Sequence, residues 1–307
     1  MRNAVLGGAA VALAGLAVGQ GGPGITAIGP VRRRFFPGLA GQGRAGHVAL
    51  TFDDGPDPHS TPSFLATLGA HQIRATFFLL GPMVQADRPL AAEIAAAGHE
   101  IGVHGWAHRY ATLRAPWALY DDLARAYDTI AEVTGASPRL YRPPYGVLSA
   151  GSLLACRRLG LRPVLWTCWG REWDPGATPD SVQATLSRTL AGGATVLLHD
   201  SEGTSRPGAA AAALGALPWL LGECAARGLA VGPLAEHGLA EHGLGERGLA
   251  GDGLAGPGLA GDGLAANAAN PDGPARDNEP NAISAAPSVT GVPPLADSEP
   301  PSGPAHG

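Results

Sequence analysis

Three short stretches of this 307-residue chain carry residue types that metal-assisted acid–base chemistry needs. The first is Thr51-Phe52-Asp53-Asp54-Gly55-Pro56, at the end of the apolar run 47–52. Side chains alternate along a strand, so adjacent carboxylates at a strand end are expected to point in different directions. One could bind a metal while the other faces a substrate. The second is Gly98-His99-Glu100-Ile101-Gly102-Val103-His104-Gly105-Trp106-Ala107-His108. His104 and His108 are four apart, and on a helical turn that spacing puts both imidazoles on one face. With Asp54 they make three ligands and leave a position open for water, the pattern of catalytic zinc. His99 reads as structural. The third is Thr195-Val196-Leu197-Leu198-His199-Asp200, where His199 can act as a general acid near neutral pH. Between them, Tyr141-Arg142-Pro143-Pro144-Tyr145-Gly146 offers a rigid loop with a fixed positive charge at Arg142. Each stretch has a plainer reading: a turn, two surface histidines, a core-edge histidine. Their coincidence at successive strand ends is what favours chemistry.

Groups so spread along a chain must be gathered by a repeating scaffold. Strand-like runs fall at 47–52, 75–80, 100–103, 140–142, 163–167, 195–198 and 229–231. Helical spacing fills the gaps, as at 89–97 and 116–134, and Gly98, Gly135, Gly160 and Gly228 stand where helices would end. Strands alternating with helices predict a parallel α/β sheet. Seven units point to an open or incomplete barrel rather than a full eight-fold one.

In order and spacing, these stretches resemble the five motifs of the polysaccharide deacetylase family, the NodB-homology domain of carbohydrate esterases. The likeness covers about residues 45–233. It implies an irregular (β/α) barrel, usually of seven parallel strands. It also implies roles. Asp53 would be the catalytic base, and Arg142 would orient it. Asp54, His104 and His108 would hold a divalent metal, usually zinc, with cobalt or nickel able to occupy the same set. The Tyr145 backbone N–H would help stabilise the oxyanion. Leu198 and Trp173 would line the pocket for the acetyl methyl. His199 would protonate the leaving amine. The expected reaction is removal of N-acetyl groups from N-acetylglucosamine-type units of a glycan such as chitin oligomers or peptidoglycan. Two rivals stand beside it: the same site acting on a non-sugar amide, an imide or an O-acetyl ester, and a weakly active wall-binding protein.

Two positions depart from the family pattern. Gly105 stands where a Ser or Thr hydroxyl usually braces the ligand loop, so a looser support is expected there. Glu172 stands where an Asp usually pairs with the acid histidine; its longer arm is expected to reach His199, with Asp174 or Asp200 as substitutes.

Composition bounds the rest. The chain has no lysine, which removes Schiff-base chemistry and any P-loop. Three cysteines exclude a disulfide scaffold and a multi-cysteine metal cluster, and Cys156, Cys168 and Cys224 read as buried and unbridged. The net charge of −5 is the sum of an acidic C-terminal stretch (residues 236–307) at −8 and a body at +3, which does not suggest nucleic-acid binding. Residues 1–19 read as a signal peptide or N-terminal anchor, since 4–18 are apolar or glycine. Export or membrane anchoring is therefore expected over a cytoplasmic home, and a monomer over an oligomer. Residues 20–44 read as a linker and 45–234 as the catalytic domain. Residues 235–265 form a five-residue Gly-Leu repeat, and 266–307 an Ala/Pro-rich acidic tail expected to be disordered. A chain cut near residue 235 is expected to keep full activity.

Overall fold

The structure is a computed structural model that describes residues 19–239, all within one compact unit. The expectations for the apolar run 4–18, for the tail and for all but the first copy of the repeat lie outside these residues.

Eight parallel strands form one curled sheet. They are β1 (His47–Asp53), β2 (Thr76–Leu80), β3 (Glu100–Gly105), β4 (Leu140–Tyr141), β5 (Arg162–Pro163), β6 (Cys168–Trp169), β7 (Thr195–His199) and β8 (Ala230–Gly232). Seven of them run in the order β5-β4-β3-β2-β1-β7-β6, and β8 adds to the start of β1. This is the irregular (β/α) barrel the family likeness implies. Every residue of β1 and β2 is buried, as expected for parallel strands covered on both faces. Helices wrap the outside: α1 (Gly29–Phe35), α2 (Thr61–Ala70), α3 (Gly81–Ala86), α4 (Arg88–Ala96), α5 (Pro116–Thr134), α6 (Ala150–Leu159), α7 (Pro179–Ser187) and α8 (Ala209–Ala226). Helix α5 shows why such segments fold. Pro116 opens it, and Gly135, at φ 67°, closes it in a left-handed cap. Leu119, Leu123, Ala126 and Ile130 lie one helical turn apart on its buried face. Helix α8 is long and apolar enough to cross a membrane, but Ala213, Leu217, Leu220 and Cys224 bury its inner face in the core.

The single strand expected at 163–167 is instead two short ones on opposite edges of the curl. β5 pairs with β4, β6 pairs with β7, and the segment between them crosses the gap. Its backbone finds partners other than a neighbouring strand. Leu165 N–H donates to the Leu39 carbonyl at 2.8 Å. Arg142 Nη2 donates to the Leu165 carbonyl at 3.0 Å, and Arg32 Nη2 to the Trp166 carbonyl at 2.8 Å. A buried carbonyl must be paired somewhere, and two buried arginines meet that need.

Residues 20–44 are therefore folded against the barrel and are no loose linker. Arg32, Leu39 and Ala40 are buried. The Gln20 side chain donates to the Arg114 carbonyl at 3.0 Å and accepts from Gly151 N–H at 3.0 Å.

The domain also ends later than expected. Arg44 N–H donates to the His237 carbonyl at 2.9 Å, and Glu236 pairs with Arg74. His237 is fully buried beneath the barrel. Its Nε2 lies 3.2 Å from both the Gly41 and Gly193 carbonyls, so it carries the proton and donates. Its Nδ1 then accepts from His47 Nδ1–H at 2.9 Å. A cut at residue 235 would remove this clasp. The first copy of the repeat belongs to the fold.

Candidate active site

Strands β1 and β7 lie side by side with Asp53 directly opposite His199. Strand β3, two places along the sheet, brings His104 to the same end. Asp54 takes a backbone conformation with φ 77°, so it leaves the strand's alternation. Both carboxylates consequently line one cavity instead of pointing apart. The two histidines also meet differently from the sequence expectation. His104 lies on β3 and His108 on the loop after it, so a bend at Gly105, with φ 109°, replaces the helical turn.

His104 Nε2 stands 3.2 Å, and His108 Nε2 3.5 Å, from Asp54 Oδ1. The other oxygen, Oδ2, accepts from the Thr204 hydroxyl, a residue that no sequence motif pointed to. Burial alone would raise the Asp54 carboxyl, but His104, His199 and His108 outweigh it and hold it well below the usual range.

Arg142 is fully buried. Its Nη1 donates to Asp53 Oδ1 at 2.8 Å and to Thr51 Oγ1 at 2.7 Å. The same side chain thus closes the barrel and fixes the Asp53 carboxylate.

His199 Nδ1 donates to Glu172 Oε1 at 2.7 Å, which leaves Nε2 facing the cavity, 3.6 Å from Asp54 Oδ2. Burial would lower this imidazole. The hydrogen bond and charge of Glu172, then Asp54 and Asp53, push it up instead, to about 9. Glu172 therefore reaches His199 despite its extra methylene. Asp174 pairs with Arg171 near the surface, and Asp200 accepts from Thr61 Oγ1, so neither stands in for it.

The cavity holds about 570 Å³. Trp166, Trp169, Trp173 and Leu197 supply its apolar lining, and the Trp173 ring meets His199 edge-on at 5.2 Å. Leu198, expected here, is not in the lining; it is wholly buried, and a side chain at Gly170 would collide with it. The reason is strand parity. His199 faces the cavity, so Leu197, two residues earlier, shares its face and Leu198 takes the other. Tyr145 sits at the mouth with φ 59°. Its half-exposed ring stacks on Tyr110 at 4.1 Å and lies 4.6 Å from His108.

The donor set suits a divalent cation. One ligand atom from each of Asp54, His104 and His108 lies within 4.8 Å of the others. Asp54 Oδ1, between the two imidazoles, is buried with no hydrogen-bond partner. A buried, unpaired carboxylate oxygen is costly unless a cation meets it, and one oxygen with two imidazole nitrogens suits zinc or a close neighbour.

Comparison with known proteins agrees with this geometry. The family model for polysaccharide deacetylase matches residues 40–164. A chitooligosaccharide deacetylase of Bradyrhizobium is 33% identical over 62% of this chain and 89% of its own length. The chain belongs to the polysaccharide deacetylase family. A peptidoglycan-N-acetylglucosamine deacetylase of Listeria monocytogenes is 32% identical over 52% of this chain, but the match spans only 33% of that longer relative. Among solved structures, a family 4 carbohydrate esterase from Streptomyces lividans in complex with acetate has a TM-score of 0.56. It is 29% identical, and the match covers 64% of this chain and 97% of that one. The family match contains Asp53, Asp54, His104, His108, Arg142 and Tyr145. Glu172, Trp173 and His199 lie beyond it.

Proposed function

We propose that this chain is a metal-dependent deacetylase that removes N-acetyl groups from N-acetylglucosamine-type units of a glycan, with peptidoglycan and chitin oligomers as the leading candidates. The observation that carries the reading is one cavity with two ion pairs, Asp53–Arg142 and His199–Glu172, flanking the Asp54-His104-His108 set. Asp54, His104 and His108 would hold a divalent ion, zinc by preference, which when bound would supply Lewis acidity to the amide carbonyl and to water.

The protein's own residues do the rest. Asp53, held in place by the Arg142 guanidinium, accepts a proton as water oxygen bonds to the carbonyl carbon. The Tyr145 backbone N–H, at the mouth, stabilises the developing oxyanion. His199 Nε2 then donates its proton to the amide nitrogen, and the C–N bond breaks to give acetate and a free amine. Glu172 keeps His199 charged until that moment. Leu197 and the tryptophans pack the acetyl methyl and exclude water from it. The apolar run 4–18 supports export or surface anchoring, where such glycans are met.

The test is acetate release from a panel that includes chitooligosaccharides, peptidoglycan and an O-acetylated glycan. It compares zinc-loaded protein, chelator-stripped protein and Asp53→Asn. Metal-dependent release from the N-acetylated glycans is expected, with the variant lower by roughly 10²–10⁴-fold. Release from the ester alone, or none from folded, metal-loaded protein, overturns the assignment.

A further inference from the structure

The two histidines of the metal set stand on an irregular stretch, and what holds that stretch lies outside every motif. Trp106 and Ala107, two of the three residues between His104 and His108, turn their backbone N–H groups onto Asp122. Trp106 N–H donates to Oδ2 at 2.8 Å and Ala107 N–H to Oδ1 at 3.0 Å. Asp122 projects from α5 and is 8% exposed. Arg114 donates to the same carboxylate at 2.6 Å and also reaches the Ala118 carbonyl at 3.1 Å. The Gln20 side chain holds the Arg114 carbonyl in turn. From the same helix Arg125 lies over the Trp106 ring, 3.5 Å from its centroid. A Cβ at Gly105 would come within 3.2 Å of Asp122 Oδ2, on a backbone whose φ of 109° disfavours any side chain.

We propose that Asp122 is the positioning residue of the metal set. It fixes the separation of His104 and His108 by binding both amides of the bend between them. This takes over the bracing that a hydroxyl at position 105 would otherwise supply. The looseness expected from Gly105 is thereby removed, because the brace comes from a helix rather than from the loop itself. A carboxylate accepting two backbone amides and a guanidinium is a rigid, charge-assisted support. Groups that orient ligands change metal affinity roughly 10–100-fold when lost.

The inference rests on the reading of Asp54, His104 and His108 as metal ligands, and the test separates the two. Zinc affinity is measured on the full chain by competition with a chromophoric chelator, and the visible spectrum is recorded with cobalt(II). Asp122→Ala is expected to bind zinc roughly 10–100-fold more weakly and to change the cobalt spectrum. Asp122→Glu is expected to recover most of the affinity. Arg114→Ala, which leaves both amide bonds in place, is expected to lose far less. Folded Asp122→Ala with the affinity and cobalt spectrum of the unaltered protein overturns the proposal while leaving the metal reading intact. An unaltered protein that binds neither ion overturns both. If Asp122→Ala does not fold, hydrogen exchange at the Trp106 and Ala107 amides of the unaltered protein decides. Protection supports the brace, and exchange at the rate of an open loop overturns it.

Discussion

Histidine is used in opposite ways at the two ends of the barrel. At the mouth, His199 is pressed against carboxylates and its pKa rises to about 9. At the floor, His47 and His237 face each other and backbone carbonyls. Burial, then the neighbouring ring, pushes His237 down to about 4, and burial lowers His47 as well. Both ends are shielded from water, so burial alone cannot set the difference. The nearest charged partner does: Glu172 touches the first ring, whereas among the described residues no carboxylate is hydrogen-bonded to either of the floor pair. One end favours a charged imidazole beside carboxylates and the other keeps its imidazoles neutral within the fold.

The largest effect should come from cutting away the floor. A chain ending after Leu239 is expected to melt with the full-length protein. One ending after Leu234 should lose about 1–3 kcal/mol, because the buried His47 ring loses its partner, while the Gly41 and Gly193 carbonyls keep the Thr195 hydroxyl and the Gly43 N–H. Urea unfolding of the two truncations measures this, and equal midpoints would show that the clasp holds nothing.

Removing the charge at the mouth comes next. In the proposed mechanism His199 acts protonated, so activity should fall as pH rises through about 9. In Glu172→Gln the largest raising cause is gone, with Asp54 and Asp53 remaining, and the alkaline limb of the pH–rate profile should move down by more than one pH unit, toward the ordinary imidazole value of 6.5. An unmoved limb would mean that Glu172 does not tune His199.

The smallest effect should be the acid slope. The floor histidines titrate below 6.5 when folded, so the unfolded chain binds protons that the folded one refuses. Stability is therefore complete above 6.5 and declines as pH falls toward about 4. His237→Gln should start less stable at neutral pH and show a shallower acid decline in its urea midpoint. A slope equal to that of the unaltered protein would place the acid sensitivity elsewhere.

Much of the mouth was legible because its chemistry needs rare residue types at strand ends. Asp53, Asp54, His104, His108, Arg142, Glu172 and His199 meet at one end of the sheet, although Asp54 arrives by leaving the strand pattern and His108 by a bend. The error at Leu198 was avoidable: once His199 is assigned to the cavity, two-residue alternation names Leu197. Asp122 was hidden for a different reason. It is one of many acids on an amphipathic helix, and only tertiary contact brings it to the ligand loop. Thr204 is hidden in the same way on a polar loop. The floor was misread through composition. His237 sits in a Gly-Leu repeat and Arg32 in a Gly/Pro-rich stretch, so both looked like connecting chain. In the fold each meets buried backbone carbonyls, His237 those of Gly41 and Gly193 and Arg32 those of Thr26 and Trp166.

The clasp is made by Ala235-Glu236-His237-Gly238-Leu239, and the next five residues, Ala240-Glu241-His242-Gly243-Leu244, are the same sequence again. Losing one of these two units, as happens when a copying polymerase slips on a tandem repeat, still leaves Leu234 followed by the same five residues. Gaining one has the same result. The domain's closing segment is thus insured against changes in repeat number.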